Sequence, residues 1–184
     1  MKFNRDKLEQ GLILAGRNMV SDYGRLIRGT LGSYTNHNGM IVKYYDRWYV
    51  AEAVTPKSRL TPLEEYEHSM ESQGYICRIW RLNGATDEER DMAAEIFYSE
   101  LLGLKYANYS IAKLGIFRLI NNLPWSLRIK GVFCTELVWR AWDESIPGCL
   151  KRPDGKVKKN PTPRTMENRL TAGVLADVTD SVLA

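Results

Sequence analysis

Residues 38–54, NGMIVKYYDRWYVAEAV, decide the fold. Val, Ile, Tyr and Trp crowd both ends and the polar residues sit in the middle. That pattern predicts a β-hairpin turning near Asp46 and Arg47. In any hairpin with an even-numbered loop, residues whose numbers sum to an odd value share a face. His37 and Glu52 therefore point to the same side of the sheet. A four-residue loop, 44–47, pairs Gly39 with Glu52 and leaves His37 diagonal to Glu52, about 7–8 Å away between Cα atoms. A two-residue turn at Asp46 and Arg47 separates them by about 13 Å, at about 3.3 Å per residue. The shared face holds in both registers, and the register itself stays open.

A second stretch, VFCTELVWRAWDES (132–145), runs from a short apolar entry into a helix. Leu137, Val138, Ala141 and Trp142 recur at helical spacing. Cys134 falls on the same stripe, at the start of the helix. An inward cysteine on such a face is ordinarily core. Its position at a helix N-terminus is also where the dipole favours a thiolate. A thiol nucleophile needs a base, most often histidine. The chain has two histidines. His68 lies in the polar EEYEHSMESQG, which suits a solvated helix end. His37 opens the hairpin, with Glu52 on its face to fix the tautomer.

The remaining elements fill in around these two. LILAG (12–16) reads as a buried strand and 22–28 as a short helix ending before Gly29. TPKSRLTPLEEYE (55–67) carries two prolines and a helical turn opened by Thr61 and Pro62. YICRIWRL (75–82) reads as a strand. Thr86 and Glu89 form a capping box. Behind it Met92, Ala93, Ile96, Phe97, Leu101 and Leu104 make one apolar stripe, and Gly103 ends the helix. SIAKLGIFRLINNLPW (110–125) reads as a second, more apolar helix. A last short helix is expected at 165–170. The order predicts one α+β domain over 1–184, a small antiparallel sheet packed against helices, with a basic, Pro-rich loop at 151–164.

Composition bounds the function. The net charge is +4, with pI about 8.9. Five basic residues and one acid lie in 151–159, and the rest of the chain is balanced. That stretch reads as a solvated loop, and without interleaved aromatics it argues against nucleic-acid binding. Three cysteines without Cys-x-x-Cys support neither a disulfide framework nor a zinc ribbon, and no metal or cofactor motif is present. No run is long enough for a transmembrane span. The start, MKFNRDKLEQ, is not a secretory signal, so the expectation is a protein made in the cytoplasm. Oligomeric state is not legible.

These positions carry a family resemblance. GSYTNHNGMIVKYYDRWYVAEAV (32–54) is similar to the segment in which a histidine opens a strand and a Glu-Ala pair closes the next. FCTELVWRAW (133–142) resembles the Cys-Ser/Thr-Glu-Leu-Val block of the same family. The order His, Glu, Cys is that of circularly permuted papain-like (NlpC-type, YiiX-like) cysteine hydrolases, related to the lecithin–retinol acyltransferase group. LLGLKYANYS (101–110) resembles the family's Gly-x-x-Tyr stretch, and NPTPRTMENRL (160–170) its closing segment. Gly11-Leu12 stands where the family usually has Gly-Asp.

The resemblance implies a permuted papain-like fold and thiol acyl transfer. Cys134 would be the nucleophile, His37 the base and Glu52 its orienting partner, with Tyr106 and Tyr109 lining the substrate cleft. The implied substrate is a peptide or peptidoglycan stem-peptide amide, reached by lysis or a phage particle. An acyl-ester hydrolase or acyltransferase is the variant that an apolar 111–127 segment would favour. An inactive binding or assembly module is the non-enzymatic alternative.

Overall fold

The computed structural model describes residues 2–72, 74–107, 132–151 and 161–183. Six strands form one antiparallel sheet: β1 (Ile13–Asn18), β2 (His37–Tyr44), β3 (Arg47–Ala53), β4 (Ser58–Pro62), β5 (Tyr75–Leu82) and β6 (Leu175–Asp177). Their order is β4-β3-β2-β1-β5-β6. The helices are α1 (Asp22–Leu31), α2 (Leu63–Ser72), α3 (Asp87–Ile96), α4 (Cys134–Ser145), α5 (Pro163–Thr171) and α6 (Thr179–Val182). The predicted helix at 110–125, Tyr109 and most of the basic loop lie outside the described residues.

The sheet is covered on both faces, which explains why β1 and β2 read as continuous apolar runs rather than clean alternations. On one face Ile13, Ala15, Met40, Ala51 and Trp80 pack with Phe97 and with Leu137, Val138, Ala141 and Trp142 of α4. On the other, Leu14, Ile41, Val50 and Ile79 pack with Leu63, Tyr66 and Met70 of α2. Trp142 is buried, and its indole N–H donates to the Gly11 carbonyl at 3.2 Å. The stripe that predicted α4 is thus the seam that fastens it to the sheet.

The hairpin takes the register in which Gly39 pairs with Glu52 and Tyr44 with Arg47. It gets there by a two-residue turn, not a four-residue loop. Tyr45 and Asp46 both adopt positive φ (45° and 60°), the backbone that matches the twist of a tight hairpin.

Several expected boundaries move. Helix α1 runs through Gly29 and stops at Gly32, whose φ of 62° caps the end. The 55–67 segment contains a strand, β4, before its helix. β4 is the sheet's edge, where Pro62 removes no ladder bond that the sheet needs. The α3 capping box forms as expected. Met92, however, is 53% exposed and is not part of the stripe, and the helix passes into a π-helical turn, Phe97–Leu101, before Gly103. α5 begins at Pro163, inside the stretch read as loop, with Thr162 as its cap. The short strand β6 has no counterpart in the sequence reading. It exists because Leu82 and Trp80 give it an edge to pair with.

Replacing Trp142 with Ala should cost about 3–5 kcal/mol of unfolding free energy, the usual penalty for a deleted core aromatic. Met92→Ala should stay within about 0.5 kcal/mol, as surface changes do. Urea denaturation of the two variants checks the assignment of the seam.

Candidate active site

The site is built on the first residue of β2. His37 starts the strand, and its imidazole Nε2 lies 2.9 Å from Oε2 of Glu52, near the end of β3. The shared face read from the sequence is therefore a direct contact. Glu52 is 3% exposed. Its second oxygen, Oε1, accepts from the Thr61 hydroxyl at 2.7 Å and from Arg59 Nε and Nη2 at 3.3 and 3.2 Å. Thr61 and Arg59 are alternate residues of β4, two apart and so on one face, with Arg59 paired directly against Glu52. The carboxylate is satisfied on both oxygens.

Burial works against a charged Glu52. The hydrogen bond and charge of His37, the Thr61 hydroxyl and the Arg59 guanidinium outweigh it and hold the carboxyl at about 2. Burial likewise opposes the imidazolium. Tyr75, Cys134 and Glu52 outweigh that effect and hold His37 well above the ordinary 6.5.

Cys134 opens α4, with Phe133 as the N-cap residue. Its thiol is buried, yet it interacts with His37 by hydrogen bond and by charge. It also receives the Asn38 backbone amide and neighbours the Thr135 hydroxyl, and together these draw it below its ordinary value despite burial. The other two cysteines go the opposite way. Burial pushes Cys77 up to about 12, and burial with the nearby Asp143 pushes Cys149 up to about 12. With Nε2 given to Glu52, Nδ1 is the ring nitrogen left to face the thiol. Thr135 donates to Asn38 Oδ1 at 2.9 Å, tying the start of α4 to the start of β2.

A cavity of about 490 Å³ adjoins His37 and Glu52, which line it together with Asn18, Asn36, Arg59, Thr61 and Tyr75 among others. Tyr106 lines it too, and its ring meets Phe133 edge-on at 6.1 Å. A parallel bridge between Tyr106 and Val132 brings that tyrosine to the entry of α4. Four of the five residues singled out from the sequence thus converge: Cys134, His37, Glu52 and Tyr106. Tyr109 is outside the described residues. His68 is exposed on α2, as its polar surroundings implied. Arg59, Thr61, Asn38 and Thr135 join the site without a motif in the sequence that marks them. Alternation of Arg59 and Thr61 between two prolines was the available signal for the first two.

Among the described residues, no group of three His, Cys, Asp or Glu stands where it could hold a metal ion. No described helix is long and apolar enough to cross a membrane.

No family model matches the chain, and no curated protein matches it. Among solved structures it is similar to the metalloprotein yiiX from Escherichia coli O157:H7, a DUF1105 protein. The TM-score is 0.56 and the identity 22%, over 76% of this chain and 67% of that one. The chain has the α+β fold of that protein.

The charge pair has a pH signature. Glu52 titrates below its unfolded value, so its contribution is full above about 4.5 and lost as pH falls towards 2. His37 titrates above its unfolded value, so its contribution is full below about 6.5 and lost as pH rises through the folded value. The pair stabilises most between the two. Glu52→Gln should therefore lose about 3 kcal/mol at about pH 5.5, and the gap to wild type should shrink below about 1 kcal/mol near pH 2.5. Denaturant titrations at the two pH values check it.

Proposed function

We propose that the protein is a cysteine hydrolase of the permuted papain-like (NlpC-type) kind, cleaving an amide in a peptide or a peptidoglycan stem peptide. The observation that carries this reading is the selective one: of three cysteines, only Cys134 is drawn below its ordinary pKa, and the group responsible is an imidazole already engaged by a buried carboxylate.

In this reading the Cys134 thiolate attacks the carbonyl carbon, forming a C–S bond. The Cys134 backbone N–H, at the positive end of α4, stabilises the oxyanion. His37 holds the thiol proton and delivers it to the leaving amine, which departs as the C–N bond breaks. Water, deprotonated by His37, then attacks the thioester and releases the acid. Glu52 keeps Nε2 protonated and the ring in place, as the third group of a triad does.

The polar residues that the cavity mixes with its apolar ones, Asn18, Asn36, Arg59 and Thr61, support a peptidic acyl group over a long alkyl chain. The apolar 111–127 segment that would support the lipid variant lies outside the described residues. The name metalloprotein belongs to yiiX, and here Glu52 turns one oxygen to His37 and the other to Thr61 and Arg59, which leaves no ligand set around it.

Iodoacetamide at about pH 6, where an ordinary thiol is almost wholly protonated, should label Cys134 and leave Cys77 and Cys149 untouched. His37→Ala should slow that labelling by about 10²-fold, the low end of a general base's contribution. Peptide mapping by mass spectrometry reads both. Equal, slow labelling of all three cysteines would favour the binding-module alternative and overturn this reading.

A further inference from the structure

Gly16, in the middle of β1, pairs with His37 on one side and with Cys77 on the other. Tyr75 pairs with Asn18, two residues along β1, so it lies diagonal to Gly16 on the same face as His37. Its ring is laid across Gly16: a Cβ there would overlap the ring edge and come within 3.0 Å of the Tyr75 hydroxyl oxygen. Glycine inside a strand weakens it and marks a close approach by another group. Here the approaching group is a tyrosine close enough to the first residue of β2, His37, for the two to interact electrostatically. Tyr66, on α2, backs it edge-on, with ring centroids 6.1 Å apart and an interplanar angle of 78°. Tyr66 is buried at 7% exposure. Tyr66, Tyr75, His37 and Glu52 all line the same cavity.

Glu52 and Cys134 each fix one edge of the imidazole. Two edge contacts leave the ring free to tip about the line joining them unless something stands beside it. The Tyr75 ring, with no Cβ beneath it at residue 16 and Tyr66 behind it, lies on that face of the sheet within electrostatic reach of His37. We propose that Tyr75 is a positioning residue for His37, its aromatic ring bracing the imidazole in the orientation that meets Glu52 and Cys134 together. This rests on the reading of His37 as the base and adds a group that the triad pattern does not contain. Gly16 and Tyr66 are the parts that let the brace reach and hold. Support from packed neighbours of this kind is what keeps a reactive constellation within its working geometry.

The test separates the ring from the hydroxyl, and the brace from the chemistry. In a Cys134→Ser background, where no thiol chemistry occurs, the His37 Nε2–H should give a slowly exchanging ¹⁵N-correlated proton resonance. Tyr75→Ala should abolish that resonance, and Tyr75→Phe should keep it. Gly16→Ala should abolish it too, by displacing an intact Tyr75. In the protein with Cys134, Tyr75→Ala and Gly16→Ala should slow alkylation at about pH 6 by about tenfold or more, while Tyr75→Phe, which keeps the ring and removes only the hydroxyl's electrostatic effect on His37, should slow it by less. Circular dichroism melts confirm that each variant is folded. A retained resonance and wild-type alkylation in both Tyr75→Ala and Gly16→Ala would overturn the proposal, as would Tyr75→Phe behaving like Tyr75→Ala. If wild-type Cys134 shows no preference at this pH, the hydrolase reading fails, while the resonance comparison still decides the brace.

Discussion

A carboxylate that is 3% exposed has to be satisfied on every side or it will not stay ionised. Glu52 meets that condition through three strands at once. β4 supplies Thr61 and Arg59, β2 supplies His37, and β3 holds the carboxylate between them. Removing Thr61 or His37 would leave a buried charge short of a hydrogen bond, a penalty well above the value of an ordinary surface ion pair. The half-exposed Arg59 adds least of the three, because water screens it. Thr61 and His37 carry most of the arrangement.

The orientation of His37 follows from this anchoring, and the state of Cys134 follows from His37. The thiol is buried, which by itself would raise its pKa as it does for Cys77. Its lowering is therefore a property of the neighbours: an imidazole held beside it, the Asn38 amide, and the first turn of a helix. Thr135 fixes that helix start to Asn38, so the two halves of the site are registered by a hydrogen bond one residue away from each reactive group.

Much of this was legible in the chain. The His37–Glu52 face relation is a parity rule, valid for any even hairpin loop, and needs no coordinates. The α3 capping box and the α4 stripe are local patterns, three or four residues apart, and both formed where they were read. Met92 failed because helical spacing says which residues share a stripe but not how wide the covered stripe is. β4 and β6 were missed because each is a short edge strand whose existence depends on a neighbour to pair with. Gly29 misled because a glycine inside a helix costs only about 1 kcal/mol and does not end one.

The amino-acid sequence alone determined the hairpin, the helix that opens at Cys134, and the side of the sheet that His37 and Glu52 share. All three are set by periodicity within one or two turns of chain. Only the tertiary structure decided the register, the partners of Glu52, and the neighbours that draw the Cys134 thiol down despite its burial. Register depended on a turn whose two residues take positive φ without glycine. The acidity of a thiol depends on charge and burial contributed by residues 97 positions away, and no local pattern encodes that distance.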